Sequence, residues 1–161
     1  DGSQPGTTGA RGTPRTSIGG DVRQRVAETR WPDTPGVYVV YAPVAQQTDA
    51  PLYVGVAGSQ SIAKRWRQHL SNRAGGSALR RSLGLYLGLV PRKLTKADGR
   101  YYPPEVEQQI TSYLNNCEVE LHSTATGNEA DDLEVVLMNQ LAPTLNISRA
   151  RRRKRPTTES S

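Results

Sequence analysis

Gly36-Val37-Tyr38-Val39-Val40-Tyr41-Ala42 and Leu52-Tyr53-Val54-Gly55-Val56-Ala57, separated by the polar, proline-bounded interval 43–51, decide how this chain folds. Both runs are rich in Val and Tyr, which fit a pleated surface, and the interval reads as the loop of a β-hairpin. Side chains alternate along a strand, so Tyr38 shares a face with Val40, and Tyr53 shares one with Gly55. In a register that aligns these faces, two phenols stand over a floor that Gly55 leaves open.

A helix is expected to follow, capped by Ser59 or Ser61 and running to Leu70. Its apolar positions Ile62, Ala63, Trp66 and Leu70 fall within about 100° of arc at the α-helical period. Arg65 and His69 are four apart on the same wheel, beside the apolar edge and turned toward the junction of helix and sheet, while Lys64 and Gln68 face water. A solvated helix flank is the bland account of that pair.

Further along, Leu133-Glu134-Val135-Val136-Leu137 precedes Leu141-Ala142-Pro143-Thr144-Leu145-Asn146. Together with Trp31-Pro32-Asp33-Thr34-Pro35-Gly36-Val37-Tyr38, Tyr53-Val54-Gly55, Arg65 and His69, these segments make the chain resemble the GIY-YIG endonuclease superfamily over residues 32–147. The resemblance extends both to the N-terminal nuclease domain of bacterial excision-repair incision enzymes and to restriction endonucleases of that superfamily. It implies a compact α/β sandwich with a small three-stranded mixed sheet flanked by helices. It also implies a helix whose Glu134 binds a metal, and a closing Pro-x-x-Asn segment ending at Asn146. Val56 stands where several relatives carry lysine after the second triplet, which argues against a lysine-assisted base at that position.

The whole chain fits this picture. Its 161 residues make one domain with tails, and a net charge of +6 favours a polyanionic partner. Arginine outnumbers lysine by 17 to 4, and the guanidinium is the better bidentate phosphate ligand. Cys117 is the only cysteine, so neither a disulfide framework nor a thiolate zinc site is available. No segment approaches the ~18 apolar residues of a membrane span, and no signal-peptide core is seen, so the expected location is cytoplasmic.

Residues 1–20 lack periodic apolar positions and are expected to be disordered. Residues 21–31 read as a short helix or linker with Val22 and Val26 on one side. A second helix is expected from Ser77 to about Leu89, with Leu79, Leu83, Tyr86, Leu87 and Val90 facing the core and Arg80 and Arg81 off that side, able to meet phosphates. Residues 92–102 read as a mobile basic loop. A third helix starts at Pro103 or Pro104, with Glu105 and Glu107 as first-turn acids favoured by the macrodipole. Residues 117–123 alternate as a third strand that leaves His122 on a polar, solvated face. The last helix opens with Glu129, Asp131 and Asp132 and carries Glu134 inside an almost continuously apolar surface. A carboxylate there loses hydration unless something pairs with it. Residues 148–161 form a basic, disordered tail in which Arg149, Arg151, Arg152 and Arg153 are expected to contact phosphates without reading sequence.

Phosphodiester hydrolysis needs a deprotonated water, neutralisation of charge at phosphorus and a stabilised leaving oxygen. Tyr38, Tyr53, Arg65, His69 and Glu134 answer these needs, and Asn146 completes the set that the resemblance implies. Glu134 suits one Mg²⁺ or Mn²⁺ ion, since an oxygen ligand fits a hard cation that keeps most of its waters. Arg65 clamps a non-bridging oxygen. Tyr38, Tyr53 and His69 remain open as the group that activates water, with Tyr38 favoured by the resemblance. Lys64, Arg67, Arg80 and Arg81 are further candidates for DNA contact. The expected activity is metal-dependent cleavage of DNA. The alternatives are a catalytically inactive DNA-binding module of the same fold and an interaction protein with a basic surface.

Overall fold

The computed structural model describes residues 23–46 and 48–146. The tails at 1–20 and 148–161, with Arg149, Arg151, Arg152 and Arg153, lie outside the described residues, as do positions 21 and 22.

Four strands, β1 (Gln24–Arg25), β2 (Gly36–Tyr41), β3 (Pro51–Ala57) and β4 (Glu118–Ser123), form one sheet in the order β1-β4-β2-β3. The hairpin places Tyr38 opposite Gly55 and Val40 opposite Tyr53, and a register shift follows between Val40 and Tyr41. The faces therefore align as the alternation requires. On its other side β2 pairs with β4, Tyr38 opposite Leu121.

Every ladder is antiparallel, where a three-stranded mixed sheet was expected. The physical reason lies in strand order. The crossover from β3 to β4 does return the chain in the same direction, but it lands on the far side of β2, so the two co-directional strands never touch. The fourth strand is too short to leave a pattern. Where Val22 and Val26 suggested a helix, Gln24 and Arg25 pair with Val119 and Glu118, and a 3₁₀ turn, Val26–Glu28, follows. The Val26 N–H bonds to the Cys117 carbonyl, and its side chain is buried.

Helices α1 (Ile62–His69), α2 (Ala78–Tyr86) and α3 (Pro104–Asn116) cover one face of the sheet, and α4 (Gly127–Leu141) covers the other. Under the first three lie Tyr38, Val40, Tyr53, Val119 and Leu121 with Ile62, Trp66, Leu79, Leu83, Ile110 and Leu114. Under α4 lie Val37, Val39, Tyr41 and Val54 with Ala130, Leu137 and Met138.

Ser61 caps α1 by accepting the Lys64 N–H, and Ser77 caps α2 by accepting that of Arg80. Helix α2 stops at Tyr86, short of the expected Leu89. Gly88 adopts φ +72°, its N–H bonds to the Leu85 carbonyl, and the Leu89 N–H reaches back to the Gly84 carbonyl. This is a Schellman ending, which needs a residue comfortable in the left-handed region. The early stop leaves Tyr86 45 % exposed, not facing the core.

Residues 92–102, expected as a loop, contain a 3₁₀ turn, Lys96–Asp98. Asp98 accepts from Thr95 and pairs with Arg92, while Tyr102 is buried and donates to the Arg81 carbonyl. Cys117 is buried, and burial pushes its thiol up to about 12.

Candidate active site

Tyr38 reaches its position because Gly55 sits opposite it and has no side chain. A Cβ there would run into the Tyr38 ring, so the phenol lies flat on the neighbouring strand. The Tyr53 ring follows at 6.5 Å between centroids. Helix α1 closes over both through Trp66, which meets Tyr38 edge-on at 5.4 Å and His69 at 5.0 Å. Trp31 stacks on Trp66 at 4.5 Å and 10°. The tryptophan of the opening motif is thus a lid over the helix, a contact that only the folded chain reveals.

His69 has no exposed surface, and each ring nitrogen has a neighbour: Tyr38 Oη lies 2.6 Å from Nε2, and Ser77 Oγ lies 2.7 Å from Nδ1. Burial, reinforced by the positive charges of Arg65 and Arg80, holds this imidazole well below the usual histidine range. It is neutral near neutral pH. Ser77 was legible as a helix cap, but nothing in the sequence joined it to His69.

Arg65, one turn earlier in α1, is half-buried. Its Nη1 donates to Gln68 Oε1 at 2.8 Å, and the Gln68 amide is paired with that of Gln60. Its Nε is buried and makes no hydrogen bond among the described residues. The guanidinium forms one wall of a cavity of about 500 Å³, whose other walls are Val56, residues 58–60, and Gly127, Asn128 and Asp131 of α4.

Glu134 is fully buried on the face of α4 turned to the sheet, in line with Ala130, Leu137 and Met138. Asp131, three residues earlier and exposed, lies at the cavity. Glu134 therefore sits one helical turn below the cavity wall. The sheet separates it from Tyr38 and His69: the structure brings Tyr38, Tyr53 and His69 together on one face and places Glu134 beneath the other. Among the described residues no three His, Cys, Asp or Glu side chains gather as a cation site. A divalent ion held by Glu134 would complete its shell with water and substrate oxygens, which is how Mg²⁺ is commonly held.

Asn146 bonds to backbone. It lies along the outer edge of β3, where its Nδ2 donates to the Val54 carbonyl at 2.8 Å and its Oδ1 accepts the Val54 N–H at 3.4 Å. The side-chain amide thus takes the place of a missing neighbouring strand.

Two expectations about charged residues are corrected, at Arg80 and at His122. Arg80, placed off the core-facing side by its wheel position, is fully buried. It donates to Glu107, to the His69 carbonyl, to Thr111 and to Asn72 through all three of its nitrogens. It is unavailable to DNA. Glu107 stands in the first turn of α3 as expected, and there it is also the buried partner of that guanidinium and accepts the Ala74 and Tyr102 N–H groups. Helix α2 packs against α3, so its third residue faces a helix where the sequence could suggest only water. His122, expected on a solvated face, is 7 % exposed, and Glu118 and Glu120 beside it are buried too. Glu120 accepts from Tyr41 and lies 3.7 Å from His122, and burial with the Glu120 charge pushes Tyr41 up to about 12.

The remaining candidates for DNA contact divide. Lys64 and Arg67 are exposed on the outer side of α1. Arg81 is half-buried and donates to the Ala74 and Gly75 carbonyls.

A family model described as the GIY-YIG catalytic domain matches residues 39–160. The match begins one residue after Tyr38 and takes in Tyr53, Arg65, His69, Glu134 and Asn146. No curated protein and no solved structure matches the chain.

Proposed function

Because the chain belongs to the GIY-YIG catalytic domain family, a family of nucleases, we propose that it is a divalent-metal-dependent endonuclease that hydrolyses DNA phosphodiester bonds. The observation that carries the reading is Arg65. A guanidinium whose Nε makes no hydrogen bond among the described residues, on a side chain that lines a cavity of about 500 Å³, has donor capacity left for an anion. A phosphate oxygen is the natural acceptor for its planar fork. Gln68 holds the side chain in place and is itself paired with Gln60.

Glu134 is the residue that would hold Mg²⁺ or Mn²⁺, one ion per site. Such an ion, when bound, supplies charge neutralisation at the phosphate and at the leaving oxygen. The chain's own groups supply the rest. Arg65 binds a non-bridging oxygen and stabilises the charge that builds there. Tyr38 and Tyr53 bring phenol oxygens to the sheet face under α1. His69, neutral and buried, orients Tyr38 through the 2.6 Å contact. Tyr38 is fully buried and lies across the sheet from Glu134, so substrate binding has to open a path that brings its oxygen and water to the phosphate. Asn146 holds the edge strand that carries Tyr53 and Gly55. Lys64 and Arg67, with the basic residues Arg149, Arg151, Arg152 and Arg153, add phosphate contacts that position DNA without specifying sequence.

A second reading is favoured by one observation. Tyr38, His69 and Glu134 are all fully buried, which also suits a catalytically silent module that holds DNA on the same fold. Nicking of supercoiled plasmid separates the two. The nuclease reading expects nicking in Mg²⁺ or Mn²⁺, none in a chelator, and loss of at least tenfold in Glu134→Gln with the fold intact. DNA binding without nicking in either metal would establish the silent module.

A further inference from the structure

A neutral imidazole carries one N–H and one bare nitrogen, so of the two neighbours of His69 one must receive a hydrogen bond and the other must give one. Both contacts are short, 2.6 Å to Tyr38 and 2.7 Å to Ser77, and the ring is sealed from water. The choice between the two tautomers is therefore made inside the protein.

Ser77 is in a position to make it. The 3₁₀ turn Ala74–Gly76 brings the chain back after α1, so that the residue capping α2 lies against the last residue of α1. The Ser77 oxygen already accepts the Arg80 N–H at 3.1 Å. If Nδ1 were protonated, Ser77 would accept twice, and its own proton, on a residue with no exposed surface, would have no acceptor among the described residues. If Nδ1 is bare, the hydroxyl accepts once and donates once, which leaves a lone pair unused but strands no donor. Buried polar groups are arranged to meet that condition.

We propose that Ser77 is a positioning residue that fixes His69 as the Nε2–H tautomer, so that the imidazole donates to the Tyr38 oxygen and the phenol's own proton is directed away from the ring. Arg80 supports the arrangement twice, through its backbone N–H on Ser77 and through its guanidinium on the His69 carbonyl. The consequence for chemistry rests on the nuclease reading. A phenol oxygen that receives an N–H bond has its phenolate form stabilised, so Tyr38, and not His69, is the group that, having lost its own proton to solvent when substrate binding opens the site, takes a proton from water.

The test reads the ring nitrogens directly. Long-range ¹H–¹⁵N correlation spectra of the full-length chain contain only two histidines, His69 and His122, and His69→Gln assigns them. The wild type should show a bare Nδ1 and a protonated Nε2 at His69. Ser77→Thr, which keeps both hydroxyl and cap, should show the same. Ser77→Gly keeps most of the cap, since glycine is tolerated there, but removes the hydroxyl. Its ring should lose the single tautomer and move toward averaged shifts. A protonated Nδ1 in the wild type, or an unchanged ring in Ser77→Gly, would overturn the proposal. Cleavage by the same samples should fall about tenfold or more in turnover, with KM unchanged, between Ser77→Thr and Ser77→Gly. Equal turnover in the two would overturn the consequence for Tyr38. Should no sample cleave DNA, the nuclease reading fails while the nitrogen shifts still decide the tautomer.

Discussion

Arg65 and Arg80 sit near the starts of successive helices, and nothing in their immediate sequence separates them, yet the fold uses them in opposite ways. Arg80 is sealed between α2 and α3, and all three of its nitrogens are bonded within the protein. Arg65 is half-buried at a cavity, held by one glutamine and with its Nε unused among the described residues. A saturated guanidinium has nothing left to offer a ligand, whereas a partly satisfied one at a cavity does. Charge alone does not mark a binding arginine; unspent donor capacity does.

The comparison breaks first, and with the largest effect, at the Arg80 partner. Glu107→Gln leaves the guanidinium buried without its counter-charge and should lower unfolding free energy by about 3–5 kcal/mol in denaturant titration. A loss under 1 kcal/mol would mean that Arg80 is not the structural arginine. Next in size is the edge clamp. Asn146→Ala removes both bonds to the Val54 backbone, which is itself fully buried, and should cost about 1–3 kcal/mol by the same measurement. An unchanged stability would mean that the two bonds do not hold the edge strand.

His69 lies between the two arginines and feels both. Its folded-state pKa is depressed, so between that value and the ordinary ~6.5 the unfolded chain binds the proton and the native chain does not. Stability is then full above pH 6.5 and falls as the pH drops through it, with a slope of at most about 1.4 kcal/mol per unit from this group. His69→Gln should remove that component, and Arg65→Met should lessen it by relieving one of the two charges. An identical slope in wild type and His69→Gln, measured from pH 7 to 5, would show that the ring charges freely in the native state. Smallest of all is the expected stability effect at Arg65 itself: Arg65→Lys should change unfolding free energy by no more than about 0.5 kcal/mol.

The hairpin, the caps at Ser61 and Ser77 and the helix at Glu134 were legible because each is written in local pattern: alternation, a serine before an apolar period, a 3.6-residue stripe. Tyr38 over Gly55 followed from alternation alone once the register was fixed. What stayed hidden was set by partners far apart in the chain. Arg80 is buried because Glu107, 27 residues away, faces it across two helices. Residues 118, 120 and 122 alternate as a half-exposed strand would, but they line a second buried face. Gln24 and Arg25 form a strand only because β4 has an open edge beside them, and two residues carry no period to read. Ser77 announced itself as a cap and concealed its second contact, because the Gly75-Gly76 turn that folds it onto His69 has no hydrophobic pattern.

Turnover by Arg65→Lys at saturating DNA reports whether the guanidinium meets the scissile phosphate. Lysine keeps the charge but loses the planar fork, so the cleavage rate should fall by about 10²–10³ in a protein whose stability is unchanged. Wild-type turnover in that variant would contradict it, and would mean that the cavity beside Arg65 is not where the scissile phosphate binds.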